Sequence, residues 1–210
     1  MGLAILGGTF DPVHFGHLRS AVELCQALQV EQVRLVPAFI PAHRPLPGCS
    51  AEQRLQMLRL GSADTALLAV DDREIRREGR SYMVDTLTSI RAEIGEHESL
   101  SLALGVDAFN LIHEWSRWRE LLDVAHLVVL GRPGSLISVN ADVATWMQGR
   151  MAEPARLQDC PSGLICELQL TQLAISATLI RRLVNAGEPI EYLLPERVID
   201  YIRREALYRD

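Results

Sequence analysis

The sequence contains no lysine, so all 21 of its basic residues are arginine. This absence excludes a Walker A lysine, a Schiff-base lysine for pyridoxal phosphate, and a lysyl–nucleotide intermediate of the ligase kind. Any group that binds phosphate in this chain must therefore be arginine, histidine, a hydroxyl or a backbone N–H. Arginine suits that role because its planar guanidinium can bind two oxygens together.

Cysteine is scarce and long apolar runs are missing. The four cysteines form no CxxC pair, so neither a disulfide framework nor a zinc ribbon is indicated. The first apolar run, Leu3 to Leu6, is too short for a signal peptide, and no run approaches the roughly 20 residues that span a bilayer. We therefore expect a cytoplasmic protein that has no membrane partner.

The net charge of −6 argues against a general nucleic-acid partner, because such proteins normally carry a basic face. The length of 210 residues predicts one domain, 1–210. Nothing in the composition indicates an oligomeric state.

Short apolar runs alternate along the chain with helical patterns. The predicted strands cover 3–6, 32–37, 66–70, 99–104, 125–130 and 163–170. Helices are predicted from Gly16, from a Ser50 cap to about 60, over 81–94, through Trp115 and Trp118 to about 122, over 141–151, from a Ser176 cap to about 184, and from Pro195. The densely charged stretch 71–80 is predicted to be a solvated connection, and 38–49 a proline-rich loop. This alternation predicts an α/β fold: a Rossmann-like, doubly wound, mainly parallel sheet with helices on both faces and a small helical C-terminal part.

The stretch GGTFDPVHFGHL, which spans 7–18, lies between the first strand and the first helix. Its two glycines allow a phosphate to approach the backbone, and the helix start directs unpaired N–H groups and a positive dipole end toward the same place. His14 and His17 are three residues apart, so they would stand on one side of that helix start. Imidazoles there can donate to phosphate oxygens, which indicates polyphosphate chemistry.

Three other interpretations of this stretch are weaker. A dinucleotide-binding oxidoreductase would need GxGxxG, whose third glycine is absent, and an acidic residue at the end of the second strand. A zinc site would need a third ligand near the histidine pair. A purely structural role for the two histidines would not explain why glycines and Asp11-Pro12 surround them.

GGTFDPVHFGHL resembles the first signature of the HxGH nucleotidylyltransferase superfamily, and ISATLIR, at 175–181, resembles its second. Four intervening segments and the tail motif YLLP resemble one branch, the bacterial nicotinate mononucleotide adenylyltransferases; the segments are IPAHRP at 40–45, SYMVDTL at 81–87, GVD at 105–107 and Trp115. Three residues depart from the branch pattern: Ala42 stands where proline is common, Arg44 where lysine is frequent, and Met83 where threonine is usual.

The resemblance implies direct attack of the mononucleotide phosphate on the α-phosphorus of ATP, with pyrophosphate released and no covalent enzyme intermediate. It implies that His14, His17, Ser176 and Arg181 are catalytic, with His17 nearest the α-phosphate and the last two on the leaving pyrophosphate. The implied ATP-binding residues are Gly7, Gly8, Thr9, Phe10, Gly105, Asp107, Arg132, Ile175 and Thr178. The implied residues for nicotinate mononucleotide are His43, Arg44, Tyr82, Met83 and Trp115. Mg²⁺ is expected with ATP, held mainly by phosphates and water, because no carboxylate cluster marks a metal site built by the protein.

Several alternatives stay open at this point. Thr178 and Asp107 could be helix caps, and Trp115 could belong to the core. Trp118 is expected to take part in core or surface packing. The acceptor could instead be nicotinamide mononucleotide or phosphopantetheine, or the chain could be a non-catalytic nucleotide-binding regulator. An aminoacyl-tRNA synthetase is excluded because its second motif needs lysine.

Overall fold

The structure is a computed structural model that describes residues 2–41, 47–131, 136–171 and 173–209. Its strands are β1 (Leu3–Gly8), β2 (Val33–Pro37), β3 (Ile40–Pro41), β4 (Leu68–Val70), β5 (Arg80–Ser81), β6 (Leu100–Gly105), β7 (His126–Gly131) and β8 (Ile165–Gln169). Its α-helices are α1 (Phe15–Leu28), α2 (Ala51–Ser62), α3 (Arg73–Arg77), α4 (Met83–Ile94), α5 (Val106–Asn110), α6 (Leu121–Val124), α7 (Ala141–Met147), α8 (Ala177–Asn185) and α9 (Glu196–Arg204). Short 3₁₀ turns cover Ile112–Glu114, Trp118–Glu120 and Pro154–Gln158.

Six strands form one sheet in the order β4-β2-β1-β6-β7-β8, and every neighbouring pair is parallel. The chain builds outward from β1 to β2 and β4, then crosses back to β6 on the other side of β1. The point where the order reverses therefore lies between β1 and β6. In open parallel sheets ligands bind in the crevice beyond the carboxyl ends of the strands at this point.

Apolar side chains cover both faces of the sheet. Along β1, Ala4 and Leu6 belong to one core cluster, whereas Ile5 belongs to the other, because successive side chains point to opposite faces. The first cluster packs against α1, α2, α8 and α9, and the second against α4, α5, α6 and α7. The predicted doubly wound α/β fold is confirmed. In the part of the chain that the structure describes, no helix has both the length and the apolar character needed to cross a membrane.

Two helix starts were predicted from side-chain chemistry and are confirmed. Ser50 and Gln53 form a capping box at α2, with each side chain accepting a hydrogen bond from the other residue's backbone N–H. Ser176 caps α8 by accepting from the N–H of Leu179 at 3.1 Å. Pro195, predicted in the first turn of α9, lies one residue earlier, at its N-cap.

The prediction of a solvated connection over 71–80 is right for 76–80, which are exposed, and wrong for the residues before them. This stretch contains α3, and Asp71 and Glu74 are buried, with 9% and 2% of their surface exposed. Burial is possible because each carboxylate has partners: Arg73 pairs with Asp71, and Thr86 donates to Glu74 at 2.5 Å. Charge density alone therefore does not indicate exposure, because a buried carboxylate can be stabilised by an ion pair, as at Asp71, or by a hydroxyl donor, as at Glu74.

Three further boundaries differ from the predictions. Ser81 belongs to the short strand β5, so α4 begins two residues later, at Met83. The predicted helix through Trp115 and Trp118 is broken into α5, two 3₁₀ turns and α6, because Trp115 has extended dihedral angles. The proline-rich loop contains β3, which pairs in parallel with β5.

Candidate active site

The loop that follows β1 lies at the reversal point of the sheet. At Gly7 a Cβ would lie 2.6 Å from the terminal methyl of Met83, so a side chain there would displace the end of the Met83 side chain. Phe10 adopts a positive φ of 49° and is buried, and its ring lies over Gly8. The loop therefore leaves its backbone close to the crevice, as close approach of a phosphate requires.

His14 and His17 stack on each other at the start of α1, with their ring centroids 3.7 Å apart. The edge of Phe10 packs against His17 with ring centroids at 5.1 Å. His14 occupies the N-cap position and only 5% of its surface is exposed. Burial lowers the pKa of His14 to about 4, so its imidazole is neutral at physiological pH. The prediction that the two rings share one side of the helix start is confirmed.

The second motif lies directly across this helix start. The backbone oxygen of Ile175 would be 3.5 Å from a Cβ at Gly16. Farther along α8, the guanidinium of Arg181 donates from Nη1 to the carbonyl oxygen of Asp11 at 2.6 Å. Asp11 and Arg181 are 170 residues apart along the chain, and their hydrogen bond brings the two motifs together.

The hydroxyls of the second motif have different roles in the structure. Ser176 is the cap of α8 and is exposed, so its oxygen accepts from the helix while its O–H can still donate to a ligand. Thr178 does not cap the helix, so that alternative is wrong; its oxygen accepts from Nη2 of Arg181 at 3.4 Å.

The buried side chain of Arg54 stabilises the loop that follows β1. Arg54, on α2, is 1% exposed and donates to three carbonyl oxygens, those of Thr9, Ala38 and Phe39, at 2.6–2.8 Å. Burial lowers the pKa of this guanidinium, which nonetheless stays charged at neutral pH. Arg54 thus ties the end of β2 to the loop after β1.

The carboxyl end of β6 borders the other side of the crevice. Gly105 is the N-cap residue of α5, and Asp107 stands exposed in the first turn of that helix. The alternative that Asp107 is the cap is therefore wrong. Arg132, predicted to lie near this position after β7, falls outside the described residues, although β7 itself neighbours β6.

The start of α4 lies beside the first motif. Tyr82 is its N-cap residue and Met83 its first residue, and both are half-buried. Phe39 N–H donates to the hydroxyl of Ser81 at 2.9 Å, which joins the segment after β2 to this helix start. The methyl of Met83 above Gly7 brings α4 to the first motif.

Other residues predicted for this part of the site are only partly placed by the structure. Trp115 is half-buried and packs against the second core cluster, and Trp118 lies in that core as expected, with its ring edge-on to Trp146 at 4.9 Å. His43 and Arg44 lie outside the described residues. Across the described ranges, no group of three His, Cys, Asp or Glu residues could hold a metal ion.

Sequence reasoning missed three supporting residues. Arg54 carried a signal, because it lies on the same helical stripe as Ala51 and Leu58, and a charge on an apolar stripe indicates a buried partner. Glu74 lies in the densely charged stretch 71–80, and nothing in that stretch indicates that this carboxylate is buried. Tyr208 carried no signal, since its partner, Asp11, is 197 residues away.

A family model described as cytidylyltransferase-like matches residues 5–183. The chain is 46% identical over 207 residues to a Cellvibrio japonicus protein named "probable nicotinate-nucleotide adenylyltransferase", covering 99% of this chain and 98% of that one. It is also 46% identical over 208 residues to the protein of the same name from Methylococcus capsulatus, covering 98% and 99%.

Among solved structures, the fold resembles the Plasmodium falciparum nicotinic acid mononucleotide adenylyltransferase complexed with NaAD. The TM-score is 0.74 at 16% identity, with 99% of this chain and 97% of that chain covered. At this identity the likeness shows the fold alone. The full-length identity to the curated relatives carries the assignment. The chain belongs to the cytidylyltransferase-like family and, within it, to the nicotinate-nucleotide adenylyltransferases.

Proposed function

We propose that this chain transfers the adenylyl group of ATP to nicotinate mononucleotide, forming nicotinate adenine dinucleotide and releasing pyrophosphate. The observation that carries the proposal is the meeting of the two motifs, with Arg181 of the second bonded to Asp11 of the first. It places two imidazoles, a guanidinium and a helix N-terminus at the reversal point of the sheet. The names of the full-length relatives support the acceptor.

The reaction is a direct displacement: a phosphate oxygen of the mononucleotide attacks the α-phosphorus of ATP, and the bond to the bridging oxygen of pyrophosphate breaks. Such a reaction needs positioning and charge stabilisation rather than an enzyme nucleophile. His17 would donate to the α-phosphate, where charge develops, and His14 would donate to the neighbouring phosphates. His14 can do this in its neutral form, because a neutral imidazole still carries one N–H.

The leaving pyrophosphate would be bound by Ser176 and Arg181, with Thr178 beside them. Ser176 can donate because its capping bond uses only its acceptor capacity. The guanidinium of Arg181 is partly exposed, so it can turn donors toward an anion in the crevice. The backbone of Ile175 leads into the start of α8, whose dipole favours negative charge.

The adenosine half would lie between β1 and β6, along Gly7, Gly8, Thr9 and Phe10. Asp107 would accept from ribose hydroxyls beside Gly105, and Arg132 would lie near this half of the ligand. The position of Gly105 at the reversal point supports this arrangement.

The acceptor would bind at the start of α4. Its carboxylate would be met by the backbone N–H groups of Tyr82 and Met83, since the first N–H groups of a helix have no partner within the helix. Trp115 would stack on the pyridine ring. His43 and Arg44 would bind the phosphate of the mononucleotide.

Mg²⁺ would be bound mainly by ATP phosphate oxygens and water. The carboxylate of Asp11, the acidic group in the first motif, already accepts bonds from Gly48, Cys49 and Tyr208, which fits a metal held by the substrate. The ion would neutralise phosphate charge. Because the reaction consumes ATP, we also propose a cytoplasmic location.

The experiment is pyrophosphate release from ATP, Mg²⁺ and nicotinate mononucleotide, measured for the wild type and for His17→Ala. Removing one donor to developing charge should lower kcat by about 10²–10³-fold. The matched control is His97→Ala, because His97 is exposed and lies before the amino end of β6, whereas the candidate site lies beyond the carboxyl ends of the strands. Near-normal turnover by a folded His17→Ala protein would contradict the assignment.

A further inference from the structure

The C-terminal turn brings Tyr208 into a polar cluster around the buried side chain of Asp11 in the first motif. The cluster consists of Asp11, Gly48, Cys49, Arg181 and Tyr208. Tyr208 donates from its hydroxyl to Oδ1 of Asp11 at 2.8 Å. Its ring also lies against Gly48, where a Cβ would be 3.3 Å away.

Both oxygens of the Asp11 carboxylate are held. Oδ1 accepts from Tyr208 and from the thiol of Cys49 at 3.1 Å, and Oδ2 accepts from the N–H of Gly48 at 2.8 Å. Only 5% of Asp11 is exposed, so few water molecules can replace these donors. The orientation of the carboxylate is therefore set by the protein.

The two side-chain donors keep their protons. Burial raises the pKa of the Cys49 thiol to about 12, and burial together with the nearby Asp11 raises the pKa of the Tyr208 hydroxyl above its ordinary value. Both groups are therefore neutral donors at physiological pH, and neither competes with Asp11 for the positive charge of Arg181.

Arg181 contacts Asp11 twice: it is hydrogen-bonded to the backbone of Asp11 and forms an ion pair with the fixed carboxylate. Its Nη1 donates to the Asp11 carbonyl oxygen at 2.6 Å and lies 3.6 Å from Oδ2, while 34% of its side chain stays exposed. The guanidinium is thus anchored on one side and open on the other. An anchored cation binds a phosphate better than a mobile one, since less rotamer entropy is lost on binding.

We infer that Tyr208 is a positioning residue for ATP: through Asp11 it fixes Arg181 toward the phosphates. This inference rests on the proposed role of Arg181 in phosphate binding. It assigns the C-terminal turn a function in the active site, although Tyr208 itself touches no substrate.

The test measures ATP affinity without acceptor, by titration calorimetry, for four proteins: wild type, Tyr208→Phe, Arg181→Ala and the double variant. Losing a hydrogen bond to a charged group should weaken ATP binding by about tenfold in Tyr208→Phe. In the Arg181→Ala background the same change should have no further effect, because Tyr208 acts through Arg181. Multiplicative losses in the double variant, or unchanged affinity in Tyr208→Phe, would overturn the inference.

A matched control is Tyr192→Phe, which removes the hydroxyl of a tyrosine that is 92% exposed and should leave ATP affinity unchanged. Turnover supplies a second readout: in Tyr208→Phe the KM for the acceptor should stay constant, whereas a general loosening of the fold would raise it. A wild type that binds ATP but releases no pyrophosphate would defeat the proposed reaction, and the ATP titrations would still decide the role of Tyr208.

Discussion

The neutral, buried imidazole of His14 makes the stability of the fold depend on pH. Burial lowers its pKa from 6.5 to about 4 in the folded state. Between these two values the unfolded chain binds a proton that the folded chain does not, so the free energy of unfolding rises with pH in this window. The His14 contribution is therefore complete above about pH 6.5 and is lost as the pH falls toward about 4. A shift of this size corresponds to about 3 kcal/mol at roughly 1.4 kcal/mol per pKa unit.

The comparison that isolates this contribution uses the wild type and His14→Asn, whose side chain does not titrate. His126 is also buried, and burial lowers its pKa, but it is present in both proteins and its contribution cancels. Urea unfolding at pH 7.5, 6.5, 5.5 and 4.5 gives the difference in unfolding free energy at each pH. That difference should shrink by about 2–3 kcal/mol between the ends of the series. A constant difference would refute the reasoning, because His14 would then titrate at its ordinary pKa in the folded protein.

Three further changes have expected outcomes. Arg54→Met removes the donors to three buried carbonyls and should lower the free energy of unfolding by about 3–5 kcal/mol in urea titrations, while Arg59→Met, exposed on the same helix, should change it little. Equal effects of the two would contradict the role of Arg54. Thr86→Val removes a donor to buried Glu74 and should cost about 1–3 kcal/mol in thermal unfolding, unlike Thr88→Val at an exposed site on α4. Met83→Thr keeps the backbone N–H and should retain any preference between acid and amide acceptors in KM measurements; loss of that preference would show that the side chain sets it.

Local chemistry was predictable wherever neighbours in sequence are neighbours in space. The capping box of Ser50 and Gln53, the cap at Ser176 and the shared side of His14 and His17 each involve residues within four positions of one another, so spacing predicts them. The stacking of the two imidazole rings was not predicted. The parallel sheet followed from alternating apolar runs and helices, because such runs need helices on both faces.

Contacts between distant segments could not be predicted in this way. Glu74 is buried and accepts a hydrogen bond from Thr86 on another helix, whereas the charged residues around it in the sequence predict exposure. Tyr208 joins Asp11 only after the whole chain has folded, so no local pattern marks it. The convergence of ISATLIR on the first motif was expected from the resemblance, and the bond between Arg181 and Asp11 shows its physical basis.

The central claim is adenylyl transfer to an acceptor that carries a carboxylate. The measurement that tests it most directly is pyrophosphate release with ATP and Mg²⁺, comparing nicotinate mononucleotide with nicotinamide mononucleotide at equal concentrations. The account predicts a large preference in kcat/KM for the acid, because the start of α4 offers N–H donors and a positive dipole end to an anion. Equal use of the two acceptors would remove the proposed role of α4, and no release with either acceptor would contradict the proposed reaction itself.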